Sequence, residues 1–589
     1  MARPGDGAIV TPGLEGPLDR QAAAHVLEQI AAFLELKGEN NFRVRGFRVA
    51  ARAVAGLSTD LRTAIRTGAL AGTRGVGPAT LRIVSELAET GRASMLEELR
   101  EQIPPGLVEM MRVPGLGIGK IRQIHELLDV DSLPELEQAA LDGRLARLPR
   151  FGPRTAENIL RGIAFVRKSA GHRLFHHALD EAETLRAALA TLPGVIEAHA
   201  AGEVRRRTAL VRGIVLVLVA DKAPADVFRH LSQLPGVDEV AGQDERRVTL
   251  RFTGGSSAEV IVTTPVNAGA VLVQATGSED HLRQLAAHAA AAGCSLHGAA
   301  LWRGSEFVPT PDESSLYRAL GLGWIPPELR EGRNEIADAA AGTLPALVER
   351  RDLAGLLHCH TKYSDGSNTV EEIALAAREA GYAWVGVTDH SAAAAYAGGL
   401  APGDLERQSD EIDAVNDRLD GIRVLKGVEA DILQDGRVDY DEAVLERLDF
   451  VIASVHSRFN MDRVAMTARI LAAMDNPFLT IIGHPTGRLL LARDPYPVDM
   501  DAVIARAADR GVALEINADP HRLDLEWELA ADARAAGVAI SIGADAHNAV
   551  GIAAVEFGIG MARKAGLQAA DIVNTLGADD FLTLARKRR

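Results

Sequence analysis

The sequence has only two cysteines, Cys294 and Cys359, among its 589 residues. Two cysteines so far apart exclude a framework of disulfides and are typical of a reducing cytoplasm. No apolar run approaches the roughly 18–20 residues that cross a membrane, so we expect no membrane segment. Residues 1–16 lack the charged-then-apolar pattern of a signal sequence and are expected to form a flexible tail. These observations predict a cytoplasmic protein.

Positive charge is also scarce, since 64 lysines and arginines face 80 aspartates and glutamates and leave a net charge of −16. The distribution is uneven, however. Residues 41–170 contain 20 basic and 14 acidic residues, so the remainder of the chain carries −22. For a nucleic-acid binder the local charge matters more than the sum. The chain length predicts three to four domains, of which a mildly basic one lies near the N-terminus.

Helical patterns fill residues 17–103, and three glycine-centred turns recur between helices in the N-terminal third of the chain. The turns occur in TRGVGPATLRIVSEL, VPGLGIGKIRQIHEL and LPRFGPRTAENILRGI. Glycine permits a sharp turn at positive φ, and the amides that follow it open the next helix as an anion site. Such a unit binds DNA phosphates without reading bases. The candidate DNA-binding residues are Gly75, Gly77, Gly115, Gly117, Gly119, Lys120, Gly152 and Arg154.

The middle of the chain, residues 170–320, alternates strand and helix patterns but contains no D-x-D pair. The glycine hairpins of the preceding third and the segment AAGEVRRRTALVRGIVLVLVA resemble the family X DNA polymerases. That resemblance places Gly213 and Val215 where the family has two metal-binding aspartates, and Glu259 where it has a third carboxylate. Glycine and valine offer no oxygen ligand to Mg²⁺, so we expect a degenerate palm without polymerase activity. Arg205, Arg206 and Arg207 would either contact phosphates or lie on solvated surface.

From residue 354 onward, seven short apolar runs alternate with amphipathic helices. Such alternation predicts parallel strands with crossover helices, closed into a barrel smaller than the eight-stranded one. Functional groups of such barrels collect at the carboxyl ends of the strands. Nine histidine, aspartate and glutamate residues lie at or just after those ends. They are His358, His360, Asp365, His390, Glu429, His456, His484, Asp545 and His547.

Imidazoles combined with carboxylates suit Zn²⁺, Mn²⁺ or Fe²⁺. Nine ligands exceed the needs of one ion, so we expect two or three divalent ions, Mn²⁺ or Zn²⁺ foremost and Fe²⁺ as an alternative. Glu429 is the expected bridge between ions, and with His360 and His456 it forms the expected catalytic set. Either histidine would protonate the leaving oxygen if it is not a ligand. Arg458 and Arg488 are candidates to orient the phosphate.

The motifs HCHTKYSDG, TDHS, GVEADI, SVHS, GHP and GADAH resemble those of the PHP (polymerase and histidinol phosphatase) family. Together with the preceding segments they resemble the bacterial PolX arrangement. The implied fold is multidomain: a helical helix-hairpin-helix region, an α+β polymerase-like palm and thumb, and a C-terminal distorted (β/α)7 PHP barrel. The implied boundaries are a tail to 16, a lyase-like region 17–103, fingers 104–170, palm 171–262, thumb 263–336, linker 337–353 and PHP domain 354–589.

The resemblance implies a DNA-repair phosphodiesterase, acting as a 3′→5′ exonuclease or an abasic-site endonuclease. Its partners would be gapped, nicked or abasic double-stranded DNA, bound without regard to sequence by a nucleoid-associated monomer. An active gap-filling polymerase remains one alternative. A small-molecule phosphatase of histidinol-phosphatase type remains another, against which the hairpins argue because a phosphatase needs no DNA clamp.

Overall fold

The structure is a computed structural model that describes residues 20–57, 61–90, 92–252 and 256–587. The expected tail, residues 1–16, lies outside these ranges. The chain divides into two compact units, residues 1–171 with 252–256, and residues 172–251 with 257–589. Within the described ranges, none of the helices combines the length and the apolar character that a membrane crossing requires.

The first unit is helical. Its helices α1–α10 are Arg20–Leu36, Asn41–Ala55, Leu61–Arg66, Ala69–Gly72, Pro78–Thr90, Ser94–Gln102, Pro105–Met110, Ile118–Leu128, Leu133–Leu141 and Pro153–Ser169. Apolar residues at helical spacing give each longer helix a buried face. In α2, for example, Val44, Phe47, Ala50 and Val54 are buried. These faces merge into one continuous core.

The second unit begins with the palm-like region. It contains β1 (Arg173–Leu174), α11 (Phe175–Leu189), β2 (Val195–Ala201), α12 (Gly202–Arg205), β3 (Leu210–Val211), β4 (Ile214–Ala220), α13 (Pro224–Leu231), β5 (Val237–Ala241), β6 (Arg247–Phe252) and β7 (Ser257–Thr263). Five of these strands form a sheet in the order β2-β4-β7-β6-β5, and β4 pairs with β7 in parallel. The interior strand β4 is buried along nearly its whole length because its sequence, IVLVLVA, is continuously apolar.

The thumb-like region follows. It contains α14 (Ala268–Thr276), α15 (Glu279–Ala291), β8 (Cys294–His297), β9 (Ala300–Arg303), β10 (Glu306–Val308), α16 (Glu313–Ala319) and α17 (Glu335–Ala341). The three strands form a small antiparallel sheet. Residues 337–353, which we expected to link thumb and barrel, include the end of α17 and Val348, which is buried in the core of the barrel.

The remaining elements build the barrel. They are β11 (Gly355–Cys359), α18 (Val370–Glu379), β12 (Trp384–Val387), α19 (Pro402–Arg418), β13 (Arg423–Lys426), β14 (Glu429–Asp431), α20 (Glu442–Leu445), β15 (Ile452–Ser454), α21 (Arg463–Ala473), β16 (Ile481–Ile482), α22 (Met500–Arg510), β17 (Ala513–Asn517), α23 (Trp527–Ala535), β18 (Ile540–Ala546), α24 (Val555–Lys564) and α25 (Ala578–Arg586).

The eight strands β11–β18 form one parallel sheet in the order β13-β12-β11-β18-β17-β16-β15-β14. The seven expected runs give eight strands because the third run breaks at Gly427 and Val428. Its first part, β13, pairs with β12, whereas its second part, β14, pairs with β15. The two edges of the sheet therefore meet at this run, and a bridge between His390 and Glu429 joins β14 to the end of β12. The expected seven-unit barrel is confirmed in this form.

Apolar side chains fill the barrel below the strand carboxyl ends. Phe450 is fully buried there, and a Cβ on either Gly386 or Gly427 would lie 2.5 Å from its ring. Trp384, the first residue of β12, stacks on Phe581 of α25 with ring centroids 4.8 Å apart. This packing closes one end of the barrel, so polar side chains gather at the other.

Candidate metal centre

The carboxyl ends of the barrel strands bring all nine predicted ligand residues together. Three overlapping groups have ligand atoms within 4.8 Å of one another: His358, His360 and Asp545; His390, Glu429 and His456; and His360, Asp365, His390 and His547. The ninth residue, His484, joins through its Nε2, which lies 3.0 Å from Oε1 of Glu429. The pattern of strand ends therefore located the whole cluster.

The backbone of the cluster departs from regular strand geometry. The ladders on both sides of β11 shift register between residues 356 and 359, so His358 lies in a bulge. His358, His484 and Asp545 have φ values of 61°, 26° and 50°. Left-handed backbone at non-glycine residues costs free energy and concentrates at functional sites. The regular alternation of side chains along a strand therefore does not by itself account for the positions of His358 and His360.

Glu429, the first residue of β14, lies at the centre of the cluster and is 1% exposed. Its Oε1 is 3.0 Å from His484 Nε2, 3.1 Å from His456 Nε2 and 3.4 Å from His358 Nε2. Its Oε2 is 2.9 Å from His390 Nδ1. Both carboxylate oxygens therefore face several histidines, which is the geometry that a bridging ligand requires.

Two further carboxylates hold the histidines from outside the cluster. Glu515, in the middle of β17, accepts a hydrogen bond from His358 Nδ1 at 2.6 Å through one oxygen and from the His484 backbone N–H at 2.7 Å through the other. Asp431 lies 2.7 Å from His456 Nδ1. Such partners fix the ring orientation and raise the basicity of the free nitrogen. The sequence signal for Glu515 was a lone carboxylate between the apolar residues Leu514 and Ile516 of β17, which our interpretation overlooked.

The charges of the cluster favour cations. Burial opposes ionisation of Glu429, but His456 and His358 hold its pKa well below the usual range. Burial likewise opposes ionisation of Asp545, yet the same kind of histidine contacts lower its pKa. Against the effect of burial, Glu429 and Asp431 raise the pKa of His456 to about 9. The carboxylates therefore remain ionised and attract positive charge to this end of the barrel.

The arginines of the site differ from the expected ones. Arg488 does not face the cluster: it is 8% exposed, donates its Nε–H to the Arg522 carbonyl at 3.0 Å and pairs with Glu526. These bonds give Arg488 a structural role in holding the backbone at residues 522 and 523, so we do not place this candidate at the phosphate. Arg458 is exposed. The cation beside the cluster is instead Arg522, whose Nε lies 3.5 Å from Oδ2 of Asp545.

The three positions that correspond to the carboxylates of family X polymerases, Gly213, Val215 and Glu259, lie on or beside the neighbouring strands β4 and β7. Gly213 precedes β4, and Val215 within β4 pairs in register with Glu259 of β7. Arg247 of β6 lies 2.7 Å from Glu259, so the remaining carboxylate is already paired with a cation.

All three side chains of the arginine triplet make contacts within this unit, and phosphate contact by any of them stays a prediction. Arg205 pairs with Glu313 at 2.7 Å, Arg206 with Glu331 at 2.8 Å and Arg207 with Glu328 at 3.9 Å.

The three hairpins of the first unit have the expected position before α5, α8 and α10. Gly75 and Gly115 adopt φ of 98° and 77°, as the turn requires. In the third hairpin Arg150 takes that position with φ of 68°, whereas Gly152 is extended and caps α10. A Cβ on Gly77, Gly115, Gly117, Gly119 or Gly152 would meet no atom within 4 Å, so these turns leave room for a ligand backbone. Lys120 and Arg154 lie in the first turns of α8 and α10.

Comparisons with known families agree with this architecture. A helix-hairpin-helix domain matches residues 19–93, a DNA polymerase beta thumb matches residues 271–331, and a PHP domain matches residues 357–519. Helix-hairpin-helix and polymerase thumb domains indicate DNA binding, and PHP domains are metal-dependent. The fold and the site therefore define a DNA-binding, polymerase-like core joined to a PHP phosphoesterase domain.

One relative shares this arrangement along its whole length. The Bacillus subtilis (strain 168) protein named DNA polymerase/3′-5′ exonuclease PolX is 34% identical over 560 residues, which cover 94% of this chain and 97% of that protein. The chain belongs to the PolX family.

Shorter relatives match part of the chain. A protein of Thermoanaerobacter sp. (strain X514) is 29% identical over 230 residues, which are 37% of this chain and 89% of that protein. A protein of Caldicellulosiruptor saccharolyticus is 33% identical over 200 residues, or 32% and 78% of the two chains. Each is named a probable phosphatase.

Proposed function

We propose that this protein is a DNA-repair nuclease whose barrel hydrolyses phosphodiester bonds with divalent metal ions, trimming 3′ ends or cutting at abasic sites. The observation that carries the proposal is the cluster around Glu429, in which nine potential ligands gather in a chain that also has DNA-binding hairpins. The family relative from Bacillus subtilis carries the name of a 3′-5′ exonuclease, which supports the same assignment.

The residues fit a group of metal ions. His358 Nε2 and His360 Nδ1 are buried and have no hydrogen-bond partner among the described residues, so each would gain a partner in a cation. We assign the nine residues as ligands, and Glu429, whose two oxygens both face histidines, is the residue that would bind more than one ion. Their mixed imidazole and carboxylate donors suit Mn²⁺ or Zn²⁺, with Fe²⁺ next. Bound ions would supply Lewis-acid activation of water and neutralise phosphate charge.

The chain's own residues then position the phosphate and move protons. Arg522 would donate N–H groups to a phosphate oxygen, because its guanidinium lies beside the cluster and has Asp545 as its near counter-ion. His360 or His456 would protonate the leaving oxygen if either is not engaged as a ligand. The three hairpins would hold gapped, nicked or abasic duplex by its phosphates, so cleavage would not depend on sequence.

The palm has, in this proposal, lost nucleotidyl transfer and serves to hold DNA. Two-metal transfer needs several carboxylates on adjacent strands. Here the corresponding positions are Gly213 and Val215, and the single carboxylate, Glu259, is paired with Arg247. An assay of single-nucleotide incorporation on gapped DNA with Mg²⁺ or Mn²⁺ should show no extension. Extension would instead support the polymerase function in the relative's name.

The test of the nuclease uses the full-length protein with Mn²⁺ and 3′-labelled gapped DNA. A His358→Ala/His360→Ala variant should lose the labelled products, whereas the exposed His297→Ala should keep them. Equal cleavage by all three proteins would place the nuclease outside the barrel. Hydrolysis of small phosphomonoesters without DNA cleavage would favour the phosphatase alternative, which the similarity to proteins named probable phosphatases supports.

A further inference from the structure

An exposed tyrosine stands at the mouth of the cluster. Tyr396 lies in the loop after β12 and is 71% exposed, whereas large aromatic side chains are usually buried. Its ring centroid is 6.2 Å from that of His390 and 6.3 Å from that of His456. The aromatic surface is therefore open to solvent and at the same time borders the group formed by His390, Glu429 and His456.

The loop that presents Tyr396 is held in place by its backbone. The Leu400 N–H donates to the His390 carbonyl at 2.9 Å, and the Ala393 N–H donates to Oδ2 of Asp439 at 2.8 Å. Gly399 packs so closely that a Cβ there would lie 1.9 Å from the Ser391 carbonyl oxygen. A rigid loop loses little entropy when a ligand stacks on its side chain, which is the condition for a preorganised binding surface.

The position of the ring relative to the charges indicates what it would meet. The ring borders His390 and His456 of the cluster, and its remaining surface is open to solvent. Arg522 lies beside Asp545 of the same cluster. A phosphate held by the cluster and Arg522 would have its own nucleoside within reach of the exposed ring.

We propose that Tyr396 is a stacking platform for the nucleobase of the nucleotide being removed. This inference rests on the proposed nuclease function and specifies its substrate: a strand end that carries a base, rather than a phosphate alone. Every base has a π face, so stacking on a tyrosine tolerates all four bases. Stacking on Tyr396 is therefore independent of sequence, as is the proposed binding of phosphates by the hairpins.

The test compares two oligonucleotides that differ only at the 3′-terminal nucleotide, which carries a base in one and a tetrahydrofuran abasic residue in the other. Full-length protein and the variants Tyr396→Ala and Tyr396→Trp are assayed with Mn²⁺. We expect Tyr396→Ala to lose about ten- to a hundredfold in kcat/KM on the base-bearing end and little on the abasic end. Tyr396→Trp should restore the preference. Metal content and circular dichroism report whether each variant keeps its fold and site.

Three outcomes would overturn the inference. An equal loss by Tyr396→Ala on both ends would mean that the ring supports the site rather than a base. No loss on either end would mean that the ring does not touch the substrate. If the wild-type protein cuts neither oligonucleotide, the proposed nuclease function fails and this inference fails with it. In the first two outcomes the wild-type protein is active, so they concern Tyr396 alone.

Discussion

The role of Glu515 rests on two hydrogen bonds that one side chain accepts at once. One of its oxygens accepts from the His358 ring and the other from the His484 backbone N–H, and the side chain is fully buried. Two proposed ligands from two strands are therefore positioned by a single carboxylate. An amide has only one oxygen, so a glutamine here would turn its NH₂ group toward one of these donors and leave both groups unsatisfied.

We expect Glu515→Gln to weaken metal binding by about ten- to a hundredfold, the usual cost of losing an outer partner of a histidine ligand. Titration calorimetry with Mn²⁺ on the metal-stripped full-length protein measures this change. Glu406→Gln is the matched control, because the ion pair of Glu406 with Arg447 is exposed and contributes little. Equal affinities for the wild type and Glu515→Gln would show that Glu515 does not position the ligands.

Two arginines close together in the structure should behave differently when replaced. Arg522→Met removes the cation beside Asp545, and we expect kcat/KM for DNA cleavage to fall about a hundredfold with the melting temperature nearly unchanged. Arg488→Met removes bonds to the Arg522 and Leu523 carbonyls and should lower the melting temperature. Cleavage kinetics beside thermal melts separate the two effects. A large loss of stability in Arg522→Met would assign that residue to structure instead.

For single residues, the sequence predicted which side chains form the cluster better than it predicted the contacts of the residues around it. The nine cluster residues followed from strand ends, because the chain direction of a barrel strand fixes which end carries function. The sequence could not decide between the two roles of Arg488, because its neighbours in sequence do not reveal the carbonyls of residues 522 and 523, which come from another strand connection. Arg522 and Tyr396 were missed because each follows the end of its strand, β17 or β12, by several residues.

Among the elements, the three hairpins share a backbone turn of positive φ, but the residue that adopts it is not always glycine. Sequence reasoning predicted a glycine at each turn, and Gly75 and Gly115 do adopt positive φ. The third turn uses Arg150 at φ 68° and keeps Gly152 for the helix cap. The repeated element is therefore the backbone path into α5, α8 and α10. The exposed amides at these helix starts, with Lys120 and Arg154 beside two of them, form the proposed phosphate contacts.

We expect each of these two cations to contribute one phosphate contact. Lys120→Ala should reduce the slope of log Kd against log salt concentration by about 0.9, and Lys120→Ala/Arg154→Ala by about twice that. The loss of affinity should be the same for unrelated duplex sequences. Fluorescence anisotropy across a salt series measures both quantities. Arg122→Ala, whose side chain pairs with Glu126 on the same helix, is the control and should leave the slope unchanged.

On the scale of the whole second unit, polar contacts join the polymerase-like elements to the barrel. Lys564 of α24 donates to the Arg206 carbonyl at 3.2 Å and pairs with Glu331. Arg563 pairs with Glu328 at 2.7 Å. These partners lie more than 200 positions apart in the chain, so no local pattern could predict them. Individual domains were predictable because periodicity and strand ends are local signals, whereas their packing was not.

An aromatic contact between α11 and the barrel adds a pH dependence to this packing. The His176 ring lies 5.3 Å from His521 and 6.2 Å from Phe557, centroid to centroid. Burial, with the charges of His177 and His521, lowers the pKa of His176 to about 4. Its Nδ1 is buried without a hydrogen-bond partner among the described residues. The packed form therefore resists protonation, whereas a separated α11 would carry a histidine of ordinary pKa.

The sign of the effect follows from linkage. Because the pKa of His176 is lower in the packed form, its contribution to stability is fully present above pH 6.5 and is lost as the pH falls toward about 4. We expect amides of α11 to lose about 2 kcal/mol or less of protection across this window, as measured by hydrogen exchange. His176→Gln, which does not titrate, should show a smaller loss than the wild type at each pH. Comparing the two proteins at equal pH cancels both intrinsic exchange rates and acid effects on the cluster. Identical pH profiles of the two proteins would mean that His176 is protonated equally in the packed and separated forms. The stability of the contact between α11 and the barrel would then not depend on the protonation of His176.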